Sequence, residues 1–88
     1  MEPAEISRFS ALVRGFALQA QVFMREAENP LTHEMEELDL GRAKNMIDML
    51  AMLEEKTKGN LTPNEEEEFR VILTGLRMQY VRKSAPPS

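Results

Sequence analysis

The sequence predicts an all-α protein: one module with a long N-terminal helix and an antiparallel C-terminal helical hairpin, which self-associates into an oligomeric helical bundle. Apolar residues recur three and four positions apart along most of the 88 residues, which is the spacing of a helix face. A helix stop is followed within a few residues by a helix start around Gly59. Each helix also carries more apolar surface than one copy of a three-helix bundle would bury.

The first helix is expected from about Pro3 to Arg25, because no glycine-proline break interrupts its rhythm. Its main apolar face repeats at alternating steps of three and four: Ile6, Phe9, Val13, Phe16, Ala20 and Phe23. A second apolar stripe lies on roughly the opposite side: Ala11, Gly15, Leu18 and Val22. Because a surface helix needs only one apolar face, the second stripe predicts packing against another subunit.

An acidic linker is expected over residues 26–38, where glutamates dominate. Pro30 forces Asn29 towards an extended backbone and ends the first helix at or before it. Either Thr32 or Asp39 caps the second helix, and their spacing does not decide between them. A connection of roughly a dozen residues is longer than a helical hairpin needs. The first helix therefore need not pack beside the second in the same subunit, which permits its exchange between subunits.

The second helix is expected over about residues 39–58 and is predicted to be central. Its apolar residues cover well over half of the helix circumference at about 100° per residue. These residues are Leu40, Ala43, Met46, Ile47, Met49, Leu50, Ala51 and Leu53. Gly59 ends the helix, because glycine takes a left-handed backbone without a Cβ clash.

The third helix begins at a predicted capping box. Thr62 can accept from the amide of Glu65 while the Glu65 side chain reaches back to Thr62. Pro63 fits the first helical position because its missing N–H is not needed there. So short a connection makes the second and third helices antiparallel neighbours. The third helix is expected over about residues 63–82, within a single domain of residues 1–83, and residues 84–88 are expected to be a disordered tail.

The third helix also shows two apolar sides. Its main face is formed by Phe69, Ile72, Leu73, Leu76 and Tyr80, and a weaker stripe by Val71, Met78 and Val81. Gly75 is unexpected there, since it either costs about 1 kcal/mol relative to alanine or allows close helix approach. Two or more copies would bury the surplus stripes, so we expect a homodimer or a higher homo-oligomer. The expected interface residues are Ala11, Gly15, Leu18, Val22, Met46, Met49, Val71 and Met78.

Composition and charge limit the functions that the protein can have. The chain has no cysteine, which excludes disulfides and thiolate metal sites. A net charge of −4 with both signs interspersed argues against a strongly salt-driven nucleic-acid binder. Glu2 and Glu5 occupy the N-terminus and no long apolar run follows, so neither a signal peptide nor a membrane span is expected. The expected location is the cytoplasm, with no membrane partner.

Catalysis is not expected, and the protein is predicted not to be an enzyme. His33 is the single histidine and lies in the acidic linker with no serine near it in sequence, so no nucleophile and base pair is recognisable. Met46, Met49 and Met52 carry thioether sulfurs, which are ligands for Cu(I). Methionine also fills cores and permissive binding surfaces. A metal or small-ligand site on the methionine face therefore stays an alternative, while we expect no metal and no cofactor.

Several short runs carry a family resemblance: Asp39-Leu40, Ala43-Lys44, Ile47-Asp48-Met49-Leu50, Leu53-Glu54-Glu55-Lys56-Thr57-Lys58-Gly59-Asn60-Leu61-Thr62, Glu65 and Leu76-Arg77-Met78-Gln79-Tyr80-Val81. On these runs the chain from about Phe9 to Lys83 resembles the bacterial family catalogued as domain of unknown function 1844. The resemblance implies a small, cytoplasmic, all-helical protein with no assigned activity, cofactor or substrate. It also implies that the corner is a family signature. The candidate interaction residues are therefore Thr57, Lys58, Asn60 and Arg77.

The sequence is thus interpreted as a self-associating helical module for protein-protein interaction or scaffolding, without catalytic activity of its own. Its expected partner is a second copy of itself or another helical protein. The alternative is a nucleic-acid-associated regulatory protein that uses Lys56, Lys58 and Arg77 beside the turn. A steep fall of binding with added salt would support that alternative.

Overall fold

Three α-helices make up the fold in the computed structural model, which describes residues 7–85: α1 (Arg8–Phe23), α2 (Leu40–Lys56) and α3 (Pro63–Ser84). No strand occurs within these residues, so the predicted all-α class is confirmed. Each helix packs against both of the others. The apolar core lies between the three helices.

The first helix is shorter than the expected range of residues 3–25. Ser7 is its N-cap, with an extended backbone (φ −63°, ψ 156°) and a hydroxyl that accepts from the amide of Ser10 at 3.0 Å. Serine at this position satisfies an amide that the first turn leaves free, so the helix begins at Arg8. The expected start near Pro3 lies outside the described residues. At the other end Arg25 takes a left-handed backbone (φ 58°), and the helix has already ended at Phe23.

Residues 24–39 connect α1 to α2 and fold back to the end of α1. The amide of Asp39 donates to the carbonyl of Phe23 at 2.8 Å. The Asp39 carboxylate accepts from an amide in the first turn of α2 at 3.0 Å, while Thr32 Oγ1 accepts from the amide of Glu34 at 3.3 Å within the linker. Asp39 is therefore the cap of α2, which decides between the two candidates that the sequence left open.

The corner between α2 and α3 follows the predicted chemistry. Gly59 has the expected left-handed backbone, with φ 87°. Both halves of the capping box are present: the Thr62 hydroxyl accepts from the amide of Glu65 at 3.1 Å, and Glu65 Oε1 accepts from the amide of Thr62 at 2.9 Å. Pro63 is the first helical residue. These contacts satisfy amides that the start of a helix leaves without partners.

The ends of α2 and α3 also differ from expectation. α3 continues to Ser84, whose hydroxyl donates to the carbonyl of Val81 at 3.2 Å. The expected tail of residues 84–88 thus begins with a helical residue, and residues 86–88 lie outside the described range. α2 ends at Lys56, before the expected end at Lys58, because the Thr57 backbone already leaves helical geometry (φ −100°, ψ 2°).

Buried side chains from all three helices form the core: Val13, Ala17, Ala20, Met24, Ala43, Met46, Ile47, Leu50, Phe69, Leu73 and Leu76. On the α1 side the most buried line runs through Ala17 and Met24, which the predicted seam omitted. The phenylalanines of that seam, Phe9, Phe16 and Phe23, are only partly buried and pack at the edge of the core. Small side chains at the centre of α1 allow the helices to lie close together.

Polar contacts tie α1 to α3: Ser7 to Glu65, Arg14 to Glu68 and Gln21 to Gln79. The Ser7 hydroxyl donates to Glu65 Oε2 at 2.7 Å, so one carboxylate both caps α3 and holds the start of α1. The amide of Thr62, and next the Ser7 hydroxyl, lower the pKa of Glu65 because both donate to its ionised form. These contacts join one flank of α3 to α1 and agree with the rotation of α3 that buries Phe69, Leu73 and Leu76.

Candidate functional site

An exposed apolar face runs along α3. We call it the outer face and define it by four residues at steps of three, four and three: Val71, Thr74, Met78 and Val81. At about 100° per residue these positions lie roughly 110–175° around the helix from the middle of the buried side, which is formed by Phe69, Leu73 and Leu76. The exposed fractions of Val71, Met78 and Val81 are 55%, 62% and 64%. Residues 7–85 therefore leave three large apolar side chains uncovered along one side of α3, with Thr74 between them, which is more informative than scattered exposed side chains.

Opposite charges lie at the two ends of α3. Residues 65–68 are four consecutive glutamates, whereas Arg77, Arg82 and Lys83 occupy the second half. This polarity suits the helix dipole. A shallow hollow of about 430 Å³ lies at the basic end, and the outer face supplies three of the five residues that line it. One cation also lies on the acidic half, where Arg70 pairs with Glu67 at 2.6 Å.

A groove between α1 and α3 borders the outer face. Its volume is about 440 Å³, and it is lined by Arg14, Ala17, Gln21, Glu68, Val71, Ile72, Gly75, Leu76 and Gln79. A Cβ built on Gly75 would meet no atom within 4 Å. Packing within the described chain therefore does not require glycine at this position. Of the two readings of Gly75, close helix approach has no partner helix among residues 7–85.

The linker covers part of the second apolar stripe of α1. A hollow of about 590 Å³ lies between this side of α1 and the linker, and its walls include Leu18 and Val22 on α1 and Leu31 and Leu38 on the linker. Val22 is only 8% exposed and Leu18 is half-buried. Further along the stripe Gly15 is exposed. The chain itself thus covers the C-terminal half of a stripe that predicted a second subunit.

Two residues of the predicted oligomer interface are buried within the chain. Val22 lies beneath the linker, and Met46 lies in the core with 9% of its surface exposed. Neither side chain is available to a second copy, so we remove both from the interface. Leu18 is half-buried. The other predicted interface residues are exposed: Ala11, Gly15, Met49, Val71 and Met78.

The structure separates the four polar candidates of the corner. The Thr57 hydroxyl donates to the carbonyl of Leu53 at 2.8 Å, so this side chain closes the end of α2. Lys58 and Asn60 are exposed, and Lys58 lines a hollow of about 190 Å³ together with three glutamates. Arg77 lies about 21 Å along α3 from its first residue, at 1.5 Å per residue. Lys58 and Arg77 therefore do not form one basic patch beside the turn, which is the arrangement that the nucleic-acid alternative used.

The methionines of α2 do not converge on one site. Met46 is buried, whereas Met49 and Met52 are 47% and 50% exposed on the outside of the helix. The His33 side chain is 78% exposed, and its Nδ1 lies 3.7 Å from a carboxylate oxygen of Glu28. Across residues 7–85 no group of three histidine, aspartate or glutamate side chains is placed to hold a metal ion. None of the helices described here combines the length and apolar character needed to cross a membrane.

Thr74 is the outer-face residue that sequence reasoning missed, and Val81 was recognised as apolar but left out of the interface. Threonine is polar, so an apolar pattern search passes over it, although its methyl group suits a helix seam as well as its hydroxyl suits water. The steps of three, four and three from Val71 to Val81 would have found it.

The comparisons with known proteins identify a family and nothing narrower. A family model described as "Domain of unknown function (DUF1844)" matches residues 7–82. Neither a curated protein nor a solved structure matches the chain. The match spans α1, the linker, α2, the corner and all but the last two residues of α3, so it agrees with the resemblance drawn from the sequence.

Proposed function

The chain belongs to the family described as Domain of unknown function (DUF1844), and since that description assigns no activity, we propose from its surface that the protein is a small self-associating helical module. In this proposal it serves protein-protein interaction or scaffolding and carries out no catalysis. The antiparallel packing of α2 and α3 and the assembly of two copies into a larger bundle are parts of the same proposal.

The outer face of α3 is the observation that carries the proposal. Fully burying one valine or methionine side chain contributes about 1.5–3 kcal/mol. A dimer would cover three such side chains from each copy, and these are 55%, 62% and 64% exposed before association. The burial free energy of these six side chains exceeds the lower estimates of the free-energy cost of association, which are about 4 kcal/mol. The outer face therefore supports a dimer of modest affinity rather than a permanently associated one.

The size of the three-helix unit is compatible with the proposal. A domain of this size buries only about 60–65% of the surface that its extended chain exposes, so a second copy that binds the folded state adds stability by mass action. Self-association is a common way for short chains to gain stability. A module of this kind needs no catalytic group, and the proposal assigns none.

The test compares two glutamate substitutions of exposed methionines. Met78→Glu places a charge in the middle of the outer face, whereas Met52→Glu places the same charge on the outside of α2. Met78 and Met52 are 62% and 50% exposed, so both variants should fold. Sedimentation velocity across a concentration series should show a dimer dissociation constant at least tenfold higher for Met78→Glu and little changed for Met52→Glu.

Equal weakening by the two substitutions would contradict the outer face as the site of association and would indicate a general effect of added charge. Weakening by Met52→Glu alone would place the contact on α2. Far-ultraviolet circular dichroism of both variants checks that each remains helical.

A further inference from the structure

We propose that two copies pair through their outer faces with the α3 helices antiparallel, about a two-fold axis that crosses the outer face level with position 76. This inference rests on the proposed function, since it requires a dimer. It adds which face is used, how the two helices are oriented and which residues meet. The occupant of the outer face is thus a second copy of this chain.

The spacing of the outer face makes it self-complementary. Its four residues are symmetric about position 76, because Val71 and Val81 lie five positions on either side and Thr74 and Met78 lie two positions on either side. In an antiparallel pair Val71 therefore meets Val81 of the second copy, and Thr74 meets Met78. Each contact occurs twice, as an isologous two-fold interface requires. Steps of three and four are also those that let two helices interdigitate.

The distribution of charge selects the antiparallel orientation. With the axis at position 76, Arg82 and Lys83 of the second copy lie level with residues 70 and 69. Glu67 and Glu68 then lie within about one helical turn of those two cations, at both ends of the interface, with Arg70 beside them. The dipoles of the two helices would also be antiparallel, which places the positive end of each beside the negative end of the other. A parallel pair would instead place the acidic starts together and the basic ends together, and like charges across an interface disfavour it. Charge thus separates two orientations that the apolar residues alone would both permit.

Gly75 fits the same arrangement. It lies at the flank of the outer face, one position from the proposed axis, and a Cβ there would meet no atom of the described chain within 4 Å. Glycine weakens a helix interior relative to alanine, and no packing within residues 7–85 accounts for it. Near the axis of an antiparallel pair the missing Cβ lets the two helix backbones approach closely, which gives the glycine a role.

Single cysteines test the orientation cleanly, because the natural chain contains none. Val71→Cys and Val81→Cys are prepared separately, one of them with a mass tag, and are refolded either alone or as an equal mixture before mild oxidation. Antiparallel pairing is expected to give disulfide-linked heterodimers in the mixture and little product from either variant alone. Met52→Cys serves as the control for collisions between exposed cysteines.

Other outcomes overturn the inference, and light scattering on the same samples separates them. Parallel pairing would link each variant to itself and give no excess of heterodimer. A dimer by light scattering with no linkage above the Met52→Cys control would place the contact on another face, so the proposed function would stand and this inference would fail. A monomer at every concentration would contradict both.

Discussion

The second apolar stripe of α1 and the outer face of α3 look alike in the sequence, yet they differ in what covers them. Val22 on the α1 stripe is 8% exposed, whereas Met78 on the outer face is 62% exposed. The connection after α1, residues 24–39, is long enough to fold back along its own helix. The connection before α3, residues 57–62, is a tight corner. An amphipathic pattern therefore predicts burial, but loop length decides whether the same chain can supply it.

The two regions should respond in opposite ways to a buried charge. Val22→Glu places a carboxylate under the linker and should lower the free energy of unfolding by roughly 3 kcal/mol, because burying an unpaired charged group is strongly unfavourable. Val71→Glu should change it by less than about 0.5 kcal/mol in the dissociated chain, since the side chain meets water there. Urea denaturation at low protein concentration measures both.

A small effect of Val22→Glu would mean that the linker opens readily and that the α1 stripe is as accessible as the outer face. A large effect of Val71→Glu in the dissociated chain would mean that the outer face is covered by some part of the chain itself. Either result would remove the contrast between the two helices.

Two exposed glycines test the same contrast with a milder change. Gly15 on α1 and Gly75 on α3 both have room for a Cβ, since neither would bring it within 4 Å of another atom. Alanine at either position should therefore raise the free energy of unfolding of the dissociated chain by about 1 kcal/mol. Only Gly75→Ala should also weaken the dimer, which sedimentation velocity detects.

Weakening of the dimer by Gly15→Ala as well would bring the α1 stripe back into the interface. An unchanged dimer in Gly75→Ala would remove the close approach of two α3 helices. The shared gain in stability shows that each substitution acted on its helix as intended.

The pH dependence of stability should show the contribution of Glu65, which caps α3 and accepts a hydrogen bond from Ser7 at the start of α1. The pKa of Glu65 is lowered in the folded chain, first by the amide of Thr62 and then by the Ser7 hydroxyl. A lowered pKa means that the folded state favours the ionised form, so this stabilisation is present above the ordinary glutamate pKa and is lost as the pH falls through the lowered one. The free energy of unfolding of Glu65→Gln should therefore fall less than that of the unmodified chain as the pH is lowered through this range.

Glu66→Gln is the matched control, because Glu66 is exposed on the same turn and carries the same charge. Urea midpoints measured at successive pH values should fall with acid in this control as they do in the unmodified chain. An identical fall in Glu65→Gln would show that Glu65 does not link the starts of the two helices.

The sequence predicted what local chemistry determines and missed what depends on distant residues. The corner was predicted because Gly59, Thr62 and Glu65 act on backbone within a few positions of themselves. The linker's cover over Val22 could not be predicted, since no local pattern shows where sixteen intervening residues fold. The choice between Thr32 and Asp39 as cap was open for the same reason, because the hydrogen bond from Asp39 to Phe23 joins residues far apart in sequence.

The sequence likewise predicted only part of the candidate site. Exposure of Met78 and Val71 follows from the helix period once the buried side of α3 is known, so the sequence found both residues. Met46 and Met49 are close in sequence and both apolar, yet one is buried and the other is exposed. That assignment depends on how α2 is rotated between its neighbours, which the broad apolar surface of the helix leaves undetermined.

Static light scattering of the unmodified chain across a dilution series asks whether the outer face is covered by a second copy. We expect a molar mass near twice the 10.1 kDa of one chain at high concentration, falling towards one chain on dilution as a dimer of modest affinity dissociates. A mass of one chain at every concentration up to the millimolar range would contradict self-association and leave the outer face of α3 for a different protein.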